Sequence, residues 1–219
     1  MAISKFNYNS FNVTPVASAA LTFDADADGF STGTSTSLTL IKTLTASSSA
    51  SISFVHGSSD VVFDNTYPVY IFKFINEHPG TADRELVFQG TTDGSNYNTT
   101  MTATYFYSYN NEAGTTQSLG YDTARDQSSG TDFQRISLPT KPDNDSSGSG
   151  ELMIFNPSST TFTKHFVART SSYSQDSMAQ DVYTAGYFNT TSAITGIQFK
   201  QRTGNIDSGS FKLYGIKDS

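Results

Sequence analysis

The chain has 219 residues, a net charge of −7 and a pI near 4.7, with 36% hydrophobic and 15% charged residues. Such acidity, without a basic stripe, argues against direct nucleic-acid binding. The absence of cysteine removes disulfides and thiolate metal sites, and an aromatic content of 13% separates the chain from disordered ones.

Serine and threonine make up more than a quarter of the residues. With Tyr, Phe and Val they suit short, half-wet strands, while Asn, Asp and Gly supply the turns. The opening Met1–Tyr8 stretch has no apolar run of the signal-peptide kind, and no segment approaches the roughly 18 apolar residues of a membrane span. The expectation is a soluble protein made in a cytoplasm, with no membrane and no nucleic acid among its partners.

Residues 1–37 differ from the remainder of the chain. Phe6 to Val13 alternates large and polar side chains, and an acidic turn and a Ser/Thr/Gly stretch come after it. The segment reads either as the first strands of the domain or as an N-terminal extension used for attachment. From Leu38 the strand signal becomes regular, through Leu40 and Leu44 and then Ala50–Val55. Tyr67–Ile75 is the strongest strand, its near-continuous apolar run implying burial on both faces. Loop 76–85 leads to Leu86–Gln89, and Thr92–Asn96 carries an Asp-Gly turn. Met101–Tyr109 places Met101, Ala103, Tyr105, Tyr107 and Tyr109 on one face and Thr102, Thr104 and Phe106 on the other. The first set reads as the inner face of a sheet, or else as an exposed aromatic patch. Segments 110–131 and 139–150 read as long surface loops around a short strand at Ile136–Leu138. Glu151–Phe155, Phe162–Ala168, Tyr183–Phe188, Ile194–Phe199 and Phe211–Ile216 complete the set, with a short helix at most over 174–182. About ten short antiparallel strands over 38–219 predict an all-β, jelly-roll-like β-sandwich.

Asp24, Asp26 and Asp28 followed by Gly29 match the first half of an EF-hand calcium loop. The twelfth position is Ser35 rather than Glu, so the bidentate ligand is missing. The segment reads first as an acidic, solvated turn and second as a weak Ca2+ site. His56, His78 and His165 lie on separate segments without zinc-site spacing, and no Gly-x-Ser-x-Gly elbow occurs. The four glutamates, Glu77, Glu85, Glu112 and Glu151, sit in no glycosidase-like motif. These readings predict neither a catalytic nor a cofactor site.

The stretch Ile194-x-x-Ile197-x-Phe199, Gly204-Asn205-Ile206, Gly209-Ser210, Leu213-Tyr214-Gly215-Ile216 resembles the carboxy-terminal hairpin of a family of tailed-phage virion proteins, common in marine phages including those of cyanobacteria. Lys42–Phe54, Tyr67–Phe72, Thr92–Tyr97 and Phe155–Ser159 extend the likeness in the same order over residues 38–219. The resemblance implies a non-enzymatic structural protein of the virion's outer surface, a capsid-decoration, cement or head-fibre component. Its partners would be the major capsid protein or other virion proteins, and it would form a homo-oligomer, with a trimer favoured. The alternative is a tail-fibre or receptor-binding module that recognises a host surface glycan through its loops.

Overall fold

The computed structural model describes residues 20–23, 30–33, 37–81, 84–174 and 177–217. The chain divides into two compact units, Met1–Ser37 and Leu38–Ser219. In the first, β1 (Ala20–Phe23) pairs antiparallel with β2 (Phe30–Gly33), Phe23 opposite Phe30.

The second unit is built from β3 (Leu38–Ser49), β4 (Ile52–Val55), β5 (Val69–Pro79), β6 (Leu86–Thr91), β7 (Met101–Asn111), β8 (Gln117–Tyr121), β9 (Gln127–Gly130), β10 (Gln134–Arg135), β11 (Gly148–Phe155), β12 (Lys164–Ser174), β13 (Met178–Phe188), β14 (Gly196–Gln201) and β15 (Ile206–Ile216). They form two antiparallel sheets, one of four strands in the order β10-β6-β14-β4 and one of nine in the order β3-β15-β5-β11-β12-β13-β7-β8, with β9 also on β7. Eight strands make a double-sheet core. Numbered one to eight in chain order (β3, β4, β5, β6, β10, β11, β14, β15), they stand as 1-8-3-6 in the large sheet and 2-7-4-5 in the small one. The insertions β7–β9 and β12–β13 then widen only the large sheet.

The two sheets close face to face on a phenylalanine core, as a β-sandwich. Among the described residues nine phenylalanines are buried. Phe72 of the large sheet meets Phe54 and Phe199 of the small one at 5.3 and 5.6 Å between ring centroids, and Phe88 meets Phe166 edge-on at 5.1 Å. Such pairs add about 0.5–1.5 kcal/mol each beyond their buried area. That explains how a chain with a low apolar fraction still holds a core.

Four sequence expectations need correction. The strands are more numerous than ten, and six of those in the large sheet run to eleven or twelve residues. Segment 110–131 is not one loop, because β8 and β9 lie within it and pair with β7. Loop 76–85 starts late, since β5 continues to Pro79 through a bulge at Asn76 (φ 51°). Where the sequence allows a short helix at most, residues 178–182 pair with both β12 and β7, which satisfies their backbone as strand. Lastly, β14 and β15 are not a hairpin. Gly204 does adopt the positive φ of a turn (83°), but the chain then crosses to the other sheet. There β15 lies between β3 and β5, while β14 lies between β6 and β4.

Candidate binding face

Strand alternation gives the large sheet an inner face on the core and an outer face on solvent. In β12, Phe166, Ala168 and Thr170 are buried while His165, Val167, Arg169 and Ser171 are exposed. Among the described residues eleven large apolar side chains are exposed, and nine of them stand on strands of this sheet, none on the small one.

Register arranges these outward side chains in rows across the strands. Leu40, Tyr214, Ile71, Met153, Val167 and Ala185 are successive neighbours across six strands, forming an apolar strip in which Leu40, Val167 and Ala185 are exposed, Tyr214 and Met153 half-buried and Ile71 covered by its neighbours. Leu38, Ile216, Val69 and Phe155 form a shorter row beside it. On the other side of the strip comes an ionic row, Lys212, Lys73, Glu151 and Arg169, which continues in register as an aromatic one, Tyr183, Phe106 and Tyr121.

Three members of the ionic row are held in ion pairs. Lys73 Nζ lies 3.2 Å from Glu151. Arg169 grips Asp181 with two parallel bonds, Nε to Oδ1 at 3.1 Å and the terminal nitrogen to Oδ2 at 2.9 Å. This fork holds the guanidinium charged, its pKa raised by those bonds. The same guanidinium lies over the Tyr183 ring, 4.7 Å from its centroid. Phe106 and Tyr121 meet at 5.1 Å with their planes 79° apart, forming a corner. The Tyr121 hydroxyl donates to Asp126 at 2.6 Å, which raises its pKa. Next to these rows the sheet forms a trough of about 810 Å³, lined by Ile75, Ser108, Ser149 and Ser171 together with the two ion pairs.

Met101, Ala103 and Tyr105 of β7 do face the core, and the Tyr105 hydroxyl donates to the Ser137 carbonyl at 2.7 Å. Tyr107 and Tyr109 are half-buried and stacked, 5.9 Å apart. The exposed aromatic row therefore comes from the opposite side of β7, through Phe106, which reading β7 alone set among threonines. Its neighbours Tyr183 and Tyr121 are remote in sequence.

On the outer side of the small sheet, Arg135, Val87 and Lys200 stand in register. With Arg202 and Phe133 they line a basic cleft of about 350 Å³, where the Lys200 ammonium lies 4.0 Å from the centroid of the Phe133 ring. Behind it Glu85 is 2% exposed, with Arg125, Arg135 and Arg202 nitrogens at 3.4, 3.9 and 3.7 Å.

The histidines are held apart. His56 Nδ1 accepts from the Phe63 amide, His78 Nδ1 lies 2.7 Å from the Ser146 carbonyl, and His165 packs on Tyr187. The glutamates are equally dispersed: Glu77 is buried against Gln201, Glu85 is ringed by arginines, Glu112 is exposed and Glu151 pairs with Lys73. Among the described residues no group of three His, Asp or Glu side chains is placed to hold a metal ion. The calcium expectation for Asp24, Asp26 and Asp28 lies outside the described residues; the strands flanking that segment, β1 and β2, pair with each other. No family model, curated protein or solved structure matches the chain.

Proposed function

We propose that the chain is a non-enzymatic structural module of a tailed-phage virion, seated on the outer surface of the head as a decoration, cement or head-fibre component. The observation that carries this reading is the apolar strip from Leu40 to Ala185. Exposed apolar side chains gathered on one face of one sheet are the usual mark of a protein–protein contact surface. The ordered motifs from Lys42 to Ile216 support the same reading. So does the strand order 1-8-3-6 and 2-7-4-5, on which we infer a jelly roll, a fold of two interleaved Greek keys recurrent in capsid proteins. The strip docks on the major capsid protein or on a neighbouring copy in a cyclic homo-oligomer, a trimer being favoured.

A tail-fibre or receptor-binding module is the second reading, favoured by the trough and the aromatic corner beside it. Quantitative mass spectrometry of purified particles separates the two. Copies on the order of hundreds per particle support the head, as repeated symmetric sites require, whereas a few tens or fewer support the tail. Absence of the chain from particles overturns both. Val167→Asp, which places a charge in the strip, is expected to weaken particle association or oligomerisation without lowering the melting temperature.

A further inference from the structure

We propose that the outer face of the large sheet binds a neutral oligosaccharide along the trough and the aromatic row beside it, with Phe106 as the stacking platform and the Arg169–Asp181 pair as the hydrogen-bonding clamp. The inference names the ligand for the receptor-binding reading and rests on the trough that favours it.

Charge selects the ligand class. Lys73 is matched by Glu151 and Arg169 by Asp181, so neither an anion nor a cation finds an unmatched partner on the trough floor. The four groups are still reachable, with side-chain exposures of 42%, 35%, 61% and 27%. A guanidinium has five N–H donors, of which Asp181 takes two, and each carboxylate oxygen can accept more than once. The result is a fixed array of adjacent donors and acceptors without net charge. Vicinal sugar hydroxyls, each both donor and acceptor, satisfy such an array, and an apolar ligand does not. Ser108, Ser149 and Ser171 extend it with hydroxyls that rotate to suit either role.

The apolar half of a sugar needs a flat surface. Phe106 and Tyr183 are neighbours in register and each 47% exposed, a large apolar area to leave in water without a function. Arg169 occupies a face of Tyr183, whereas Phe106 meets Tyr121 with their planes 79° apart and remains about half exposed. A sugar ring on Phe106 places the next units over Tyr183 and the Arg169–Asp181 clamp. The volume, about 810 Å³, falls in the range of roughly 300–1,000 Å³ typical of small-ligand sites and accommodates several sugar units.

The test is saturation-transfer NMR on the full chain with neutral oligosaccharides of glucose, mannose and galactose, and chondroitin sulfate as the anionic comparator. Transfer to at least one neutral oligosaccharide is expected, insensitive to salt. Phe106→Ala is expected to weaken it about tenfold, the scale of one lost stacking contact. Asp181→Asn, which loosens the clamp while keeping its size, is expected to act similarly, and Phe162→Ala, on an exposed loop residue, to leave binding unchanged. Equal melting temperatures of the variants separate lost binding from lost fold. The proposal is overturned by no transfer to any neutral oligosaccharide, by salt-sensitive binding of chondroitin sulfate alone, or by binding that survives both site variants. Each of these results is independent of the copy number that decides between head and tail.

Discussion

Glu77 on β5 and Gln201 on β14 meet across the sandwich, where the amide of Gln201 donates to a carboxyl that is 2% exposed. Among the described residues no cation pairs with the carboxyl, and burial raises its pKa from 4.5 to about 7. The fold therefore favours the protonated acid.

This buried acid gives stability a pH dependence of definite sign. Between the unfolded value near 4.5 and the folded value near 7, the unfolded chain has released the proton while the folded chain keeps it. Raising the pH through this window lowers stability, and above it the loss is complete. The full effect is on the order of 3 kcal/mol, taking about 1.4 kcal/mol per pKa unit. Glu77→Gln removes the titrating group and keeps an amide that can pair with Gln201, whose Oε1 has no hydrogen-bond partner. Denaturant melts at about pH 5 and about pH 8 should show the parent losing stability and the variant holding it. Parallel losses in both proteins would locate the dependence elsewhere.

A second prediction concerns the close of the chain. The Tyr67 ring occupies the space that a Cβ on Gly215 would fill, and β15 is fixed there between β3 and β5. Tyr67 is itself braced edge-on by Tyr70 at 5.7 Å. Gly215→Ala is therefore expected to cost about 1–3 kcal/mol, the range for an overpacked site. In Tyr67→Ala the same change should cost little, giving a coupling of about 1–2 kcal/mol in a double-mutant cycle. Additive costs would show that the ring is not the obstacle.

Which elements are legible in the sequence depends on which faces they bury. Tyr67–Ile75 can be read because Tyr70, Phe72 and Phe74 face the core while Ile71 and Ile75 add apolar side chains on the outer face. β8 and β9 cannot: on the margin of the sheet, Gln117–Tyr121 and Gln127–Gly130 bury nothing. The far ends of β12 and β13 hide polar groups instead. Thr170, Ser172, Ser174 and Gln180 are buried, with Ser172 bonded to Gln180 at 2.9 Å, so apolar alternation is missing where a strand nonetheless forms. The turn glycine Gly204 is legible, but a positive φ does not say whether the strands it joins share a sheet. The binding face is hidden for a related reason. Lys73, Glu151, Arg169, Tyr183 and Phe106 become neighbours only through the order β5-β11-β12-β13-β7, which no local pattern records.

The last prediction tests the buried charge behind the basic cleft. Glu85 is the carboxylate shared by Arg125, Arg135 and Arg202, and among the described residues only Arg125 has a second carboxylate partner, Asp122. Removing the shared anion leaves guanidinium groups facing one another in a partly desolvated space. Glu85→Gln is therefore expected to destabilise by roughly 3–5 kcal/mol, as breaking a buried pair from one side does. Arg202→Gln removes a side chain that is 53% exposed, so its cost should stay within about 1 kcal/mol. Added salt screens the repulsion left in Glu85→Gln and should recover part of the loss there. If urea melts give the two variants equal stabilities, or salt fails to narrow the gap, then Glu85 is not the group that holds the arginines together.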